Sequence, residues 1–350
     1  MMSRPTLSQI AEQLGVSTAT VSLAMRGSPK ISQKTRERVA VALKESGYIY
    51  QRSAAGLRTA KTHTVGVVLN NISDPFCSTL LACIEEELSK AGRTIFLCNS
   101  NESVQRQTEF LRSMAEYNAD GVIISPAIGS TAEDILSQKA LLPPLVFVSR
   151  AVFDVNADYV VNDDRQAANL AAKRLLGCGH RRIALVGGDP SVSCFAARLE
   201  GYKEALGEAA IAFDDALVRA CAPTRPAGFA AARWVAELAP RPTAAICYND
   251  SLALGFISGL RHEGLHPGTD FALIGHEDIE EAGFVSPSLS STAVLRDEMG
   301  RTAAAVLLER VANPDAPLQR HVLPSELVVR ETCSVSNDTA LQAGPVRERN

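Results

Sequence analysis

The chain lacks most of the features that would place it in a common class at a glance. No apolar run approaches the roughly eighteen residues a membrane span needs, and no charged-then-apolar leader opens the chain. No membrane partner is therefore expected, and the predicted location is the cytoplasm. The eight cysteines include no C-x-x-C pair, and most lie among apolar neighbours, where a thiol acts as a small hydrophobe. A disulfide framework and a zinc cluster are both unsupported. No G-x-x-x-x-G-K-[ST] phosphate loop occurs, and Gly187-Gly188 lacks the third glycine and the helical opening of a dinucleotide fingerprint. No nucleotide cofactor is expected. His262-Glu263-Gly264-Leu265-His266 spells the H-E-x-x-H of zinc proteases, which needs both histidines on one face of a continuous helix. Gly264 lies inside the pattern and Pro267-Gly268 follows it, so the helix should stop near Gly264 and no metal or enzyme activity is predicted.

At 350 residues, the chain is long enough for two or three compact units. Its net charge of −4 conceals a division: residues 1–62 carry ten Lys/Arg against Glu12, Glu37 and Glu45, and the remainder carries 25 against 36 acidic residues. A basic head on an acidic body is the electrostatic footprint of one end meeting phosphates. Charge alone fits a solvated basic helical surface equally well.

Within that head, Thr6-Leu7-Ser8-Gln9 has the form of a capping box, and Leu7, Ile10, Ala11 and Leu14 follow at helical spacing. Gly15 can end this helix in the left-handed conformation, and Ser17 can cap a second whose inward face is Val21 with Leu23 or Ala24. A third helix is predicted from Ser32 as cap to Gly47 as stop, with a loop through Gly27-Ser28-Pro29 before it. Two short helices about a glycine turn form a helix-turn-helix, whose second helix enters the DNA major groove. Its exposed positions are Ser17, Thr18, Ala19 and Ser22. A three-helix module that binds protein would look the same at this level.

From Thr64 the pattern changes to short β-branched runs alternating with helical segments. The first set is Val65–Leu69, Thr94–Cys98, Gly121–Ile124 and Leu145–Val148; the second is Ile183–Val186, Ala244–Cys247 and Phe271–Ile274. Two sets of β-α units predict two doubly wound parallel sheets, with a ligand crevice between the lobes. The expected organisation is a DNA-binding head over 4–50, a hinge or linker over 51–62, an effector-binding and dimerising body over 63–333, and a flexible tail over 334–350.

The head is similar to that of LacI/GalR-type bacterial regulators through Thr6–Ser22 (TLSQIAEQLGVSTATVS), Arg26-Gly27, Thr35-Arg36 and Gly47-Tyr48. The resemblance implies that Thr18 and Ala19 read bases, with Thr6, Leu7, Ser17, Thr20, Ser22 and Arg26 near the DNA backbone. Leu23 stands where many members carry arginine, so guanine readout is replaced by apolar contact and a different half-site is expected. Tyr50–Arg58 resembles the family hinge helix, with Leu57 as the wedge pushed between base steps in the minor groove. Tyr50-Gln51 in place of the usual Pro-Asn, and Gly56 within the segment, leave a plain linker open as the other reading.

The resemblance continues through Ser73–Phe76, Ala119–Gly121, Gly179–Arg181, Arg198–Tyr202, Asn249-Asp250, Gly275–Asp278 and Pro287–Leu289. It implies a body like the periplasmic sugar-binding proteins and an effector that is a sugar or sugar derivative. Pro75 and Phe76 would pack on the ligand, Arg198 would fork onto it, and Asn249 and Glu277 would add polar contacts. Glu277 replaces an aspartate, and Pro223 stands where many members stack an aromatic ring. A structural alternative stands for each: Phe76 in the core, Arg198 paired with a carboxylate, Asn249-Asp250 capping a helix. The function implied is a homodimeric, operator-binding regulator of carbohydrate-utilisation genes, usually a repressor, associated with the bacterial nucleoid. The tail lacks leucine heptads, so a dimer is the default. A transporter's solute receptor is the rival that the body alone would fit; the basic head and the missing leader oppose it.

Overall fold

The computed structural model describes residues 5–25, 27–48, 62–136 and 142–333. The chain divides between Thr62 and His63 into two compact units, each taken separately below.

Among the described residues the first unit holds three helices, α1 (Leu7–Leu14), α2 (Thr18–Met25) and α3 (Gln33–Ser46). Helix α1 begins in a complete capping box, with the Thr6 side chain accepting from the Gln9 amide and the Gln9 side chain accepting from the Thr6 amide. Gly15, at φ +63°, ends it. Ser17 Oγ accepts from the Thr20 amide at 3.1 Å to start α2, and Ser32 and Gly47 bound α3. Ile10, Ala11, Val21, Ala24, Val39 and Ala42 are buried together. The inward face of α2 is thus Val21 with Ala24, and Leu23 stays half-exposed outside that core.

The second unit contains two six-stranded sheets. The first lobe begins with β1 (Thr64–Leu69), α4 (Pro75–Lys90), β2 (Thr94–Asn99), α5 (Val104–Glu116), β3 (Gly121–Ile124), α6 (Ala132–Leu136), β4 (Leu145–Ser149) and β5 (Asp158–Asn162). The second holds α7 (Asp164–Gly177), β6 (Ile183–Val186), α8 (Ser193–Glu208), β7 (Val218–Arg219), α9 (Arg225–Glu237), β8 (Ala244–Cys247), α10 (Asp250–His262), β9 (Ala272–Glu277), α11 (Glu280–Phe284) and β10 (Ser290–Ala293). The chain then returns. Helix α12 (Arg296–Ala312) and β11 (Arg320–Leu323) complete the first lobe, and β12 (Glu326–Val328) completes the second.

The strand orders are β11-β5-β4-β3-β1-β2 and β12-β10-β9-β8-β6-β7. Among the described residues every strand pairing is parallel except β10 with β12, which is antiparallel. Helices cover both faces of each sheet, so strands such as β3, β6 and β8 are buried along their whole length. In the first lobe, Leu80, Ile84 and Leu88 of α4 meet Met299, Ala303 and Leu307 of α12 on one face. Leu111 and Met114 of α5 cover the other. In the second lobe, α9 and α10 supply Val235, Phe256 and Leu260, and α7 and α8 supply Leu175, Tyr202 and Leu206. Among the described residues no helix is long and apolar enough to cross a membrane.

Helix α10 stops at His262, and Gly264 turns left-handed at φ +75°. His266 lies beyond the turn and pairs with Asp270 at 3.2 Å. The H-E-x-x-H pattern therefore never sits on one helix.

Candidate functional site

In the head, the first turn of α2 presents Ser17, Thr18 and Ala19 to solvent, with Thr20 and Ser22 half-exposed. Burial of Val21 and Ala24 fixes which way that turn faces. Ser17 Oγ and Thr20 Oγ1 lie 2.9 Å apart, so two hydroxyls are held together at a helix N-terminus, where unpaired backbone N–H groups and the dipole favour an anion. Thr6 is exposed at the start of α1, and Leu7 packs half-buried against the head core. Arg26 and Leu57 lie outside the described residues.

In the body, the C-terminal ends of the strands of both lobes point into one cleft, the usual ligand position in such sheets. Helix α4 is started by Asp74, whose Oδ1 accepts from Phe76 N at 2.9 Å, with Pro75 in its first turn. The other carboxylate oxygen of Asp74 accepts from Ser251 Oγ of the opposite lobe at 3.0 Å. Ala151 N donates to Ser193 Oγ at 3.4 Å, a second bridge between lobes.

Phe76, Arg198 and Glu277 converge on one inner cavity of about 20 Å³, with Ser149, Asn162, Asp164, His276, Val294 and Met299. That volume admits little more than a water-sized body. Among the described residues Pro75 and Asn249 do not line it. Asn249 caps α10, its Oδ1 accepting from Leu252 N at 2.9 Å and its Nδ2 donating to the Pro223 carbonyl at 3.4 Å.

Arg198 donates from Nε to Asp164 Oδ1 at 2.8 Å and from Nη1 to the Tyr248 carbonyl, with its guanidinium 4.4 Å from the Tyr248 ring centre. Burial opposes the charge on Arg198, but Asp164 beside it holds the guanidinium above its ordinary value. Burial likewise pushes Asp164 up, and Arg198 pulls it back. The arginine stays protonated. His276 donates or accepts at Thr292 Oγ1, 2.6 Å away, and burial followed by Arg198 pushes its imidazole well below its ordinary value. Its 3.5 Å contact with Asp164 is thus made by a neutral ring.

Glu277 ends β9 at φ +104°. Burial, then Asp74 and Asp250, push its carboxyl well above its ordinary value, and Oε2 is buried without a hydrogen-bond partner. A neutral carboxyl can donate as well as accept. Beneath it, Asp250 accepts from Ser291 Oγ at 2.7 Å and Ile279 N at 2.9 Å. Burial still raises Asp250 to about 7.

Sequence reasoning named Arg198, Phe76 and Glu277 but missed Asp164 and Tyr248, which hold Arg198, and His276, which contacts Asp164. The Asp163-Asp164 pair directly after a β-branched run was the available signal for the first of these.

A capped helix-turn-helix in the same chain as a two-lobed body with a cleft at its strand ends defines the class of ligand-responsive DNA-binding regulators. Comparison with known proteins narrows this. The profile of bacterial regulatory proteins of the lacI family matches residues 6–51, and that of periplasmic binding proteins and the sugar binding domain of the LacI family matches 62–328. The HTH-type transcriptional repressor PurR of Vibrio atlanticus is 28% identical over 333 residues, 95% of this chain and 99% of that protein. The ribose operon repressor of Haemophilus influenzae is 29% identical over 327 residues, 93% of this chain and 98% of its own. The solved transcriptional regulator CelR–cellobiose complex is 30% identical, with a TM-score of 0.68 over 94% of this chain and 100% of that one. The lac repressor dimer bound to operator and the anti-inducer ONPF shares the fold, at 24% identity and a TM-score of 0.85, over 95% of this chain and 100% of that one. The chain belongs to the LacI family of bacterial regulatory proteins. It is a DNA-binding transcriptional regulator with an effector-binding body.

Proposed function

We propose that the protein is a homodimeric, non-enzymatic repressor of carbohydrate-utilisation genes in the bacterial cytoplasm. A sugar-like effector between the lobes changes its affinity for a pseudo-palindromic operator on the nucleoid. The observation that carries the DNA-binding half is the solvent-facing first turn of α2, with Ser17, Thr18 and Ala19 outward and Val21 and Ala24 locked inward. Thr18 and Ala19 read base edges; Thr6, Leu7, Ser17, Thr20, Ser22 and Arg26 hold phosphates. Leu23, half-exposed and outside the core, makes apolar contact such as a thymine methyl invites. The functional units are the head over 4–50, the hinge over 51–62, the body over 63–333 and the tail over 334–350. The sugar reading draws on relatives whose names include a ribose operon repressor and a cellobiose complex. Phe76, Arg198 and Glu277 form the floor of the effector site, with Pro75 and Asn249 shaping its rim as the lobes part.

Coupling follows from linkage: the effector shifts DNA affinity only by its differential affinity for the two states of the body. Selection of random duplex DNA on the purified protein, at fixed salt, with and without a panel of sugars and sugar phosphates, tests the whole reading. A palindromic site released or tightened by one compound is the expected result, and no enrichment under any condition would refute it. Leu57→Ala should weaken specific binding more than non-specific binding, as a minor-groove wedge requires. Equal losses in a titration against operator and random duplex would remove the wedge.

A further inference from the structure

The interface between the lobes gathers carboxylates from both sides. Asp74 stands at the start of α4 in the first lobe and accepts from Ser251 Oγ of the second at 3.0 Å. The second lobe presents Glu277 at the end of β9, Asp278 next in the chain and Asp250 at the start of α10. Glu277 and Asp278 lie at φ +104° and +52°, strained values for non-glycine residues that persist only where the surroundings over-determine them. Glu277 is thus held in a wall that it shares with Phe76 and Ser149 of the first lobe.

The cations nearby are committed elsewhere. Arg198 of α8 donates to Asp164 of α7 and to the Tyr248 carbonyl. Arg296 of α12 donates to the Asp278 carbonyl at 3.1 Å, and Arg330, beyond β12, stands 2.7 Å from the Asp278 carboxylate. Arg150, beyond β4, is held by Glu102 at 3.0 Å. Burial keeps the adjoining His276 neutral and pushes the Cys77 thiol of α4 up to about 12. Among the described residues nothing donates to the buried Oε2 of Glu277. A charge on Glu277 would therefore stand in a dry interface beside Asp74 and Asp250, with no hydrogen bond to that oxygen. A proton removes the charge. Parting the lobes relieves it instead, by separating Glu277 from Asp74 and admitting water.

We propose that closure of the two lobes is a proton-linked switch, in which Glu277 faces Asp74 across the interface while it carries a proton and drives the lobes apart once it has lost it. The closed state then holds one proton more than the open state. Closure is favoured in full below the ordinary carboxylate range and is lost as pH rises toward the raised value of the closed state. The ratio of closed to open falls by at most about tenfold per pH unit. Asp250 titrates nearby without driving the motion, because its partners Ser291 Oγ and Ile279 N belong to its own lobe and stay with it when the lobes part. The switch acts in the effector-free protein, so it stands whether or not the effector is a sugar. By linkage, any ligand that prefers one state inherits the dependence on pH.

The test is the distance between two spin labels on the full-length, effector-free protein, carried by bio-orthogonal residues at exposed Gln105 of the first lobe and exposed Ala196 of the second. Double electron–electron resonance reads it from about pH 5 to about pH 9. The wild type should pass from a short to a long distance population as pH rises. Glu277→Gln cannot ionise and should keep the short population throughout. Asp74→Asn can still cap α4 and bond Ser251 but lacks the opposing charge, and should shrink the transition. Asp250→Asn should leave it in place. A wild-type distribution that does not change with pH overturns the switch, as does a transition that Glu277→Gln undergoes like the wild type. A transition as large in Asp74→Asn as in the wild type overturns repulsion across the interface. Its loss in Asp250→Asn alone overturns the assignment to Glu277.

Discussion

At the scale of single residues, the body holds several charges that its burial opposes. Arg198 and Asp164 are paired with side-chain exposures of 12% and 6%. Removing one partner leaves the other charge uncompensated, which costs about 3–5 kcal/mol. Asp164→Ala should lose stability of that order in a denaturant titration, and the double variant with Arg198→Met should recover part of it. A loss indistinguishable from zero would mean that the guanidinium reaches water. The raised carboxyls carry a pH signature. Asp250, lifted from 3.8 to about 7 by burial, and Glu277, lifted well above its ordinary value by burial and by Asp74 and Asp250, keep protons that the unfolded chain has released. Their contribution is therefore complete below the ordinary carboxylate range. It is lost as pH rises, through about 7 for Asp250 and beyond the ordinary range for Glu277. Glu277→Gln cannot release a proton, so its unfolding midpoint should gain on the wild type between pH 5 and pH 8. Parallel curves over that interval would show that Glu277 is ionised in the folded protein.

Among elements, the tightest approaches run through glycines. A Cβ on Gly255 would meet the Arg225 carbonyl at 1.9 Å, and one on Gly228 would meet the Leu252 carbonyl at 2.0 Å. Helices α9 and α10 thus touch backbone to backbone. Gly255→Ala must push them apart, at about 1–3 kcal/mol or more for overpacking. Gly207 in α8 faces open space, and Gly207→Ala should instead stabilise by about 0.5–1 kcal/mol. Thermal melts of the two variants check this pairing, and shifts of the same sign would contradict it. Caps and helix stops at Thr6, Gly15, Ser17, Ser32 and Gly47 were legible because they act within four residues. Strand β10, Ser-Ser-Thr-Ala, was not, because its buried hydroxyls are satisfied by the Arg330 carbonyl, Asp250 and His276, so no apolar run marks it. The short β7 and β12 escaped for want of length, and β11, Arg-His-Val-Leu, because only its last residue is buried and it carries no apolar run. The partner of Arg198 escaped because Asp164 lies 34 residues away in sequence.

For the molecule as a whole, effector and operator act on one another equally. If a sugar lowers operator affinity tenfold, operator must lower affinity for that sugar tenfold. Titrating the sugar with and without saturating operator measures both sides, and unequal factors would show that more than two linked states are in play. The crossing of the chain between lobes has a further consequence, in the order of synthesis. Met299, Ala303 and Leu307 belong to the core that Leu80, Ile84 and Leu88 begin, and β11 is the edge strand beside β5. On the ribosome, the first lobe waits with one face of its sheet covered by α4 alone while all of the second but β12 emerges. Its closure comes only when residues beyond Leu323 are made, so the lobe begun first is finished almost last.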